Sequence, residues 1–167
     1  MDIEKELGLL GVEVERQIML SDWTNQTFVP NKSKKTETHR QRSVRTAKKY
    51  LTRAVGGECI ESVGDVVYAA ENKADGVIHI GPFNCIPEIV TQCIIPHAGK
   101  KEDIPVMSLL MDEHTGKAGV LTRIEAFVDL IRRQRKLRTA RAIEKETTSN
   151  PLKNKCEDKS PVRRIYK

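Results

Sequence analysis

The sequence predicts an open three-layer α/β fold with a parallel sheet, and three observations predict it. Helical and strand-like stretches alternate along the chain. The strand-like stretches are near-continuous apolar runs, as parallel strands buried on both faces are. Aromatic residues are only 4% of the 167 residues against 38% hydrophobic, so the core is built from Val, Ile, Leu and Ala.

Each element has its own signal. Residues 2–10 read as a short helix, with Ile3, Leu7 and Leu10 on one face and Gly11 as its stop. Val12 to Leu20 alternates and then turns apolar, which suits a strand. Residues 21–36 are polar, with Pro30 and a lysine run, and read as a long loop. A basic helix is expected over 37–54, with Val44, Ala47, Tyr50, Leu51 and Ala54 on one side. Gly56-Gly57 breaks it. Val63, Val66, Val67 and Ala70 then recur at helical spacing as far as Lys73. Gly76 to Gly81 is a buried strand, and residues 82–87 are a loop. Ile89, Val90, Cys93 and Ile94 mark the apolar face of the next helix, with Pro87 in its first turn. Residues 97–103 are expected to be a polar connection, 104–111 a second buried strand and 112–119 a loop. Leu121, Ile124, Phe127, Val128 and Ile131 define the clearest amphipathic helix.

This gives three strands, which is few for such a fold, and the chain begins inside a helix. The expectation is an incomplete domain of a larger protein. The α/β domain is placed at residues 1–137. Residues 138–167 are expected to be a basic extension of the last helix, a turn-rich break at 147–151, and then disorder.

The net charge of +6 is unevenly spread. Residues 132–167 carry 13 Lys/Arg against 4 Asp/Glu, and residues 32–53 carry 9 against 1, so the rest of the chain is net acidic. That distribution argues against a nucleic-acid binder, because a basic run is usually a solvated face or a tail. No stretch reaches the ~20 apolar residues of a membrane helix. The charged N-terminus carries no apolar signal segment, which points to the cytoplasm. Four cysteines are too sparse for a disulfide scaffold. No Gly-rich phosphate loop and no nucleophile elbow is present, so no nucleotide site of those kinds is expected.

In α/β sheets, ligands sit at the carboxyl ends of the strands. Two loops leave such ends here. The first is Gly81-Pro82-Phe83-Asn84-Cys85-Ile86-Pro87-Glu88, and Cys85 is its most reactive residue type. At a helix start, the amide groups and the dipole favour a thiolate, which serves as nucleophile or metal ligand. The plain alternative is a small residue filling space under the loop. Cys93 reads as core, Cys59 as open to solvent without a partner, and Cys156 as incidental. The four cysteine spacings match no zinc pattern. The second loop, Asp112 to Gly119, offers Asp112, Glu113 and His114 as an acid/base set. Equally, Thr115 caps the last helix and the acids favour its N-terminus. Glu88 is a further acid candidate, or an ordinary first-turn glutamate. His79 reads as a packed imidazole inside its strand, and His97 as a helix-end residue that suits the dipole.

Taken together, the two loops resemble the 2-hydroxyacyl-CoA dehydratase family, and within it the large proteins called CoA-substrate-specific enzyme activases. The resemblance rests on Asp75 to Val90, on Ile104-Pro105-Val106, and on Asp112 to Gly119 followed by Thr122-Arg123-Ile124-Glu125-Ala126-Phe127. Leu7-Gly8, Gly11 to Val14, Leu20 to Trp23, Gly56-Gly57 and Glu61 to Gly64 agree, so it covers residues 1–135. The resemblance implies a Rossmann-like or flavodoxin-like domain and a 4Fe-4S-type iron–sulfur cluster used in anaerobic one-electron chemistry on acyl-CoA substrates. It makes Cys85 a metal ligand, with the other cluster cysteines coming from a separate domain or subunit. It also implies an ATP-dependent activase module as partner, absent from this chain. It assigns no role to Asp112, Glu113 or His114. Three functions follow for comparison: part of such a redox system, with a homo-oligomer among its partner expectations; a non-catalytic interaction domain that has lost the chemistry; and, least favoured, a nucleic-acid binder.

Overall fold

The computed structural model describes residues 2–17, 21, 24, 37–149 and 165–166. Among them it forms α1 (Ile3–Leu9), β1 (Val14–Glu15), α2 (His39–Ala47), α3 (Cys59–Glu71), β2 (Gly76–Pro82), α4 (Ile86–Lys101), β3 (Val106–Met111), α5 (Lys117–Ser149) and β4 (Ile165–Tyr166). The strands make one parallel sheet in the order β1-β4-β2-β3. The chain is thus α/β with a small parallel sheet. No helix among the described residues is long and apolar enough to cross a membrane.

Alternation along β2 divides the core. Ile78 packs with Leu109, Ile165, Ile3 and Leu7 of α1, and Val120, Ile124, Phe127, Val128 and Ile131 of α5. Its neighbour Val77 packs with Ala47 of α2, Val63, Val66 and Ala69 of α3, and Ile95 and Ala98 of α4. Successive strand residues point to opposite faces, so each face of the sheet has its own apolar cluster. Gly76 allows α5 to approach, since a Cβ there would lie 2.6 Å from Ile131 Cδ1.

Several elements differ from the sequence reading. The strand expected over 12–20 is Val14–Glu15 among the described residues. Residues 18–20, most of the expected loop at 21–36, Cys156 and residues 150–164 lie outside them. The helix expected over 37–54 is shorter. A capping box of Thr38 and Gln41 starts it, and the amides of Tyr50 and Leu51 both donate to Ala47 O at 2.8 Å, turning the chain out of the helix. Its buried face is Ser43, Thr46 and Ala47, while Ala54 is exposed.

Helix α4 continues through Pro96 and His97 to Lys101, where a connection was expected. Proline removes one helical donor, yet the helix persists because Ile95 and Ala98 on either side are anchored in the core. More importantly, α4 is rotated relative to expectation. It buries Glu88, Thr91, Ile95, Ala98 and Gly99, and leaves Ile86, Ile89 and Cys93 exposed. The inward polar groups have partners: Thr91 Oγ1 donates to Pro87 O at 2.9 Å, and Glu88 meets His79.

The last helix runs through residue 137, and through Thr147-Thr148-Ser149, to its end at Ser149. Its arginines fasten it to the body. Arg132 donates to Leu10 O at 2.5 Å, Arg138 reaches Asp103 Oδ2 at 3.0 Å, and Arg135 lies 3.9 Å from Asp75. Within the stretch expected to be a disordered tail, Ile165 and Tyr166 form β4. Ile165 is fully buried between β1 and β2, and its amide donates to Glu13 O at 3.0 Å. A three-strand sheet becomes four because two residues near the end of the chain fill a slot that already has donors and acceptors on both sides.

Candidate functional site

Strands β2 and β3 run side by side in register from Val77↔Val106 to Pro82↔Met111. Phe83 N continues the ladder by donating to Met111 O at 2.9 Å. The two loops singled out from the sequence therefore leave the same end of adjacent strands.

In the first loop, Asn84 adopts φ +62°, a left-handed turn that asparagine tolerates better than most residues. The turn delivers Cys85 to the N-cap of α4 in extended geometry, with φ −81° and ψ 110°. Cys85 O accepts from Ile89 N at 2.9 Å, which fixes its backbone as the first turn of the helix. No side chain caps this helix. Cys85 itself is half-buried. Exposed Phe83, Ile86 and Ile89 surround it in sequence.

A second helix start lies beside it. The Gly56-Gly57 turn leads into α3, and Gly57, at φ +53°, presses on α4: a Cβ there would sit 2.9 Å from Pro87 Cγ. The start of α3, with Glu58 at its N-cap and Glu61 in its first turn, thus packs against the first turn of α4, two residues beyond Cys85.

Cys59, read from the sequence as open to solvent, is fully buried at the first turn of α3. Burial pushes its thiol pKa up; a hydrogen bond with Thr91 opposes this, and the Glu88 and Glu61 carboxylates add to the rise. Cys93, read as core, is exposed on α4. The two thiols are expected to separate cleanly on alkylation. Cys93 reacts readily in the native protein, and Cys59 reacts at least about tenfold more slowly, through local opening only. Peptide mapping after iodoacetamide treatment checks this, and equal rates would contradict the burial.

His79 and Glu88 form a pair beneath the loop. Their Nε2 and Oε2 atoms are 2.5 Å apart, and the side chains are 6% and 7% exposed. His79 is packed, as the sequence suggests, and Glu88 is its partner rather than a solvent-facing acid. His79 Nδ1 is buried with no hydrogen-bond partner among the described residues.

The second loop folds on itself. Asp112 Oδ1 accepts from His114 N at 3.1 Å and from Thr115 Oγ1 at 2.5 Å, while Asp112 N donates to Thr115 Oγ1 at 2.8 Å. This is a local turn of the kind Asp and Thr side chains close. Gly116, not Thr115, offers the first helical carbonyl, to Val120 N at 3.3 Å. Glu113 and His114 are more than four-fifths exposed and lie 3.7 Å from each other. They form a surface pair, and Asp112 is occupied in the turn. His97, expected at a helix end, lies inside α4 with its ring edge against Tyr50.

The donor set can be tested against an iron–sulfur cluster, which takes cysteine thiolates on its irons. Cys85 fits as one accessible sulfur at a positive helix end. Among the described residues no three His, Cys, Asp or Glu side chains converge to hold a metal ion. The described residues therefore offer one ligand and not an enclosed site.

No curated protein and no solved structure matches the chain. A family model does, over residues 42–131, more than half of the sequence. The matched span runs from within α2 to within α5 and contains β2, the Cys85 loop, β3 and the second loop. The chain belongs to the 2-hydroxyglutaryl-CoA dehydratase, D-component, family.

Proposed function

We propose that this chain is a component of a dehydratase-like iron–sulfur system in which Cys85 contributes one thiolate to a 4Fe-4S-type cluster. The remaining ligands come from another domain or subunit. Family membership supports a component of such a system. The observation that carries the assignment of Cys85 is its place: half-buried, at an N-cap without a side-chain cap, beside a second helix start. When bound, a cluster of this kind supplies one-electron chemistry. This chain's own residues hold the sulfur at a fixed backbone position, the N-cap of α4. An acyl-CoA substrate, an ATP-hydrolysing electron donor and a cytoplasmic setting belong to the same proposal. So does the reading of the fold as an incomplete, three-layer, Rossmann-like or flavodoxin-like domain, with its body over residues 1–137.

The test is iron and acid-labile sulfide in the assembled protein, wild type against Cys85→Ser. Loss of iron in the variant supports the proposal, and unchanged iron overturns it.

One observation favours a second reading. The exposed Phe83, Ile86 and Ile89 beside a single cysteine suit an interaction domain without redox chemistry. That reading predicts a colourless, oxygen-insensitive assembly in which Cys85→Ala acts only through packing.

A further inference from the structure

Helices α2 and α4 use the same position in opposite ways. At α2 the third residue, Gln41, caps the helix: its Oε1 accepts from Thr38 N at 3.1 Å, while Thr38 Oγ1 accepts from Gln41 N at 3.3 Å. A glutamate at this position does the same in a capping box. In α4 the position belongs to Glu88, and capping would bring its charge to the backbone of Cys85. Glu88 instead turns inward, with Oε2 held 2.5 Å from His79 Nε2. Gly81 leaves room for this, since a Cβ there would be 3.3 Å from Glu88 Cβ and 3.5 Å from His79 Cε1.

The arrangement has a cost. His79 occupies a strand position between Ile78 and Ile80, and its Nδ1 is buried without a partner among the described residues. An unmatched buried nitrogen disfavours the fold and calls for a reason. An aliphatic residue at 79, with Glu88 capping α4, would avoid it. The inward carboxylate bears on Cys59, whose already raised thiol pKa it pushes further.

We propose that His79 is a positioning residue that holds the Glu88 carboxylate away from Cys85. The start of α4, which has no side-chain cap, then keeps that charge off the backbone of Cys85. This rests on Cys85 as the working thiol, and concerns the charge around it rather than what it binds.

The test compares two alkylating reagents on the full chain at one pH and low salt: neutral iodoacetamide and anionic iodoacetate. A Cys93→Ser background leaves Cys85 as the one cysteine in its tryptic peptide, residues 74–100. The ratio of iodoacetate to iodoacetamide rates reads the local charge. His79→Leu releases Glu88, and the ratio is expected to fall roughly two- to fivefold, the range for one charge at a helix N-terminus. Adding Glu88→Gln to His79→Leu restores it, because an amide caps without charge. A packing role for His79 would move both rates together and leave the ratio alone. An unchanged ratio in His79→Leu, or a fall that Glu88→Gln does not reverse, overturns the proposal. Glu88→Gln alone decides the matter if His79→Leu does not melt cooperatively. With the charge already held away, it changes the ratio by less than about twofold, and a larger rise overturns the proposal. Iron content tests the ligand reading separately, because the alkylation ratio is measured without iron.

Discussion

Gly64→Ala is expected to destabilise the protein by about 3 kcal/mol, the upper end of the usual cost of overpacking. The melting temperature should fall by roughly 6–12 °C, at about 2–4 °C per kcal/mol for a chain of this size. The sign is diagnostic, because alanine in place of glycine within an unobstructed helix stabilises by about 1 kcal/mol. Here the added Cβ would lie 2.3 Å from Ser43 O, 2.7 Å from Ser43 Cα and 2.8 Å from Ser43 C. These are backbone atoms of α2 and cannot swing aside. The two helices would have to separate, and their polar seam would go with them. Thr46 Oγ1 donates to Gly64 O at 3.0 Å, and Asp65 Oδ1 receives Ser43 Oγ at 3.0 Å and lies 3.0 Å from His39 Nε2. A melting temperature equal to or above wild type would contradict this crossing.

Ile165→Asp is expected to cost still more. Truncation of a buried isoleucine alone costs about 2–5 kcal/mol, and an unpaired buried carboxylate adds several kcal/mol of desolvation. Ile165 is fully enclosed, with Ile78, Leu109 and the α1 and α5 residues around it. The substitution should either abolish the cooperative melt or release β4. Release would leave β1 without its β4 partner and speed tryptic cleavage at the Lys and Arg residues between 153 and 164. Limited proteolysis beside a thermal melt separates these results, and a variant with wild-type melting and digestion would show that β4 does not hold the sheet together.

The parts of the fold that were legible in the sequence carry strong local patterns. Residues 76–81 and 104–111 are apolar runs, and Leu121 to Ile131 has a helical period, so β2, β3 and the first half of α5 follow from pattern alone. The loop after β2 was legible for the same reason, and with it the position of Cys85. β4 carries no such signal. It is two residues in a charged stretch, and the open slot between β1 and β2 makes it a strand. The rotation of α4 was hidden differently. Ile86, Ile89 and Cys93 outweigh Glu88 and Thr91 in any count of hydrophobicity. What turns the helix is the set of hydrogen bonds from Thr91 to Pro87 O and between Glu88 and His79, which composition does not display. Cys59 was missed because its enclosure depends on α4 lying across the start of α3. Glu113 and His114 had a position at a strand end but no partner to converge on, and Asp112 is engaged in its own turn.

The central claim is that Cys85 supplies a cluster ligand, and the most direct measurement is iron and labile sulfide per assembled protein after anaerobic purification. Wild type, Cys85→Ser and Cys93→Ser are compared, the last as an exposed cysteine eight residues along the same helix. The account predicts iron in wild type and Cys93→Ser, and its loss in Cys85→Ser with the fold intact. Iron retained at wild-type level in Cys85→Ser would contradict it.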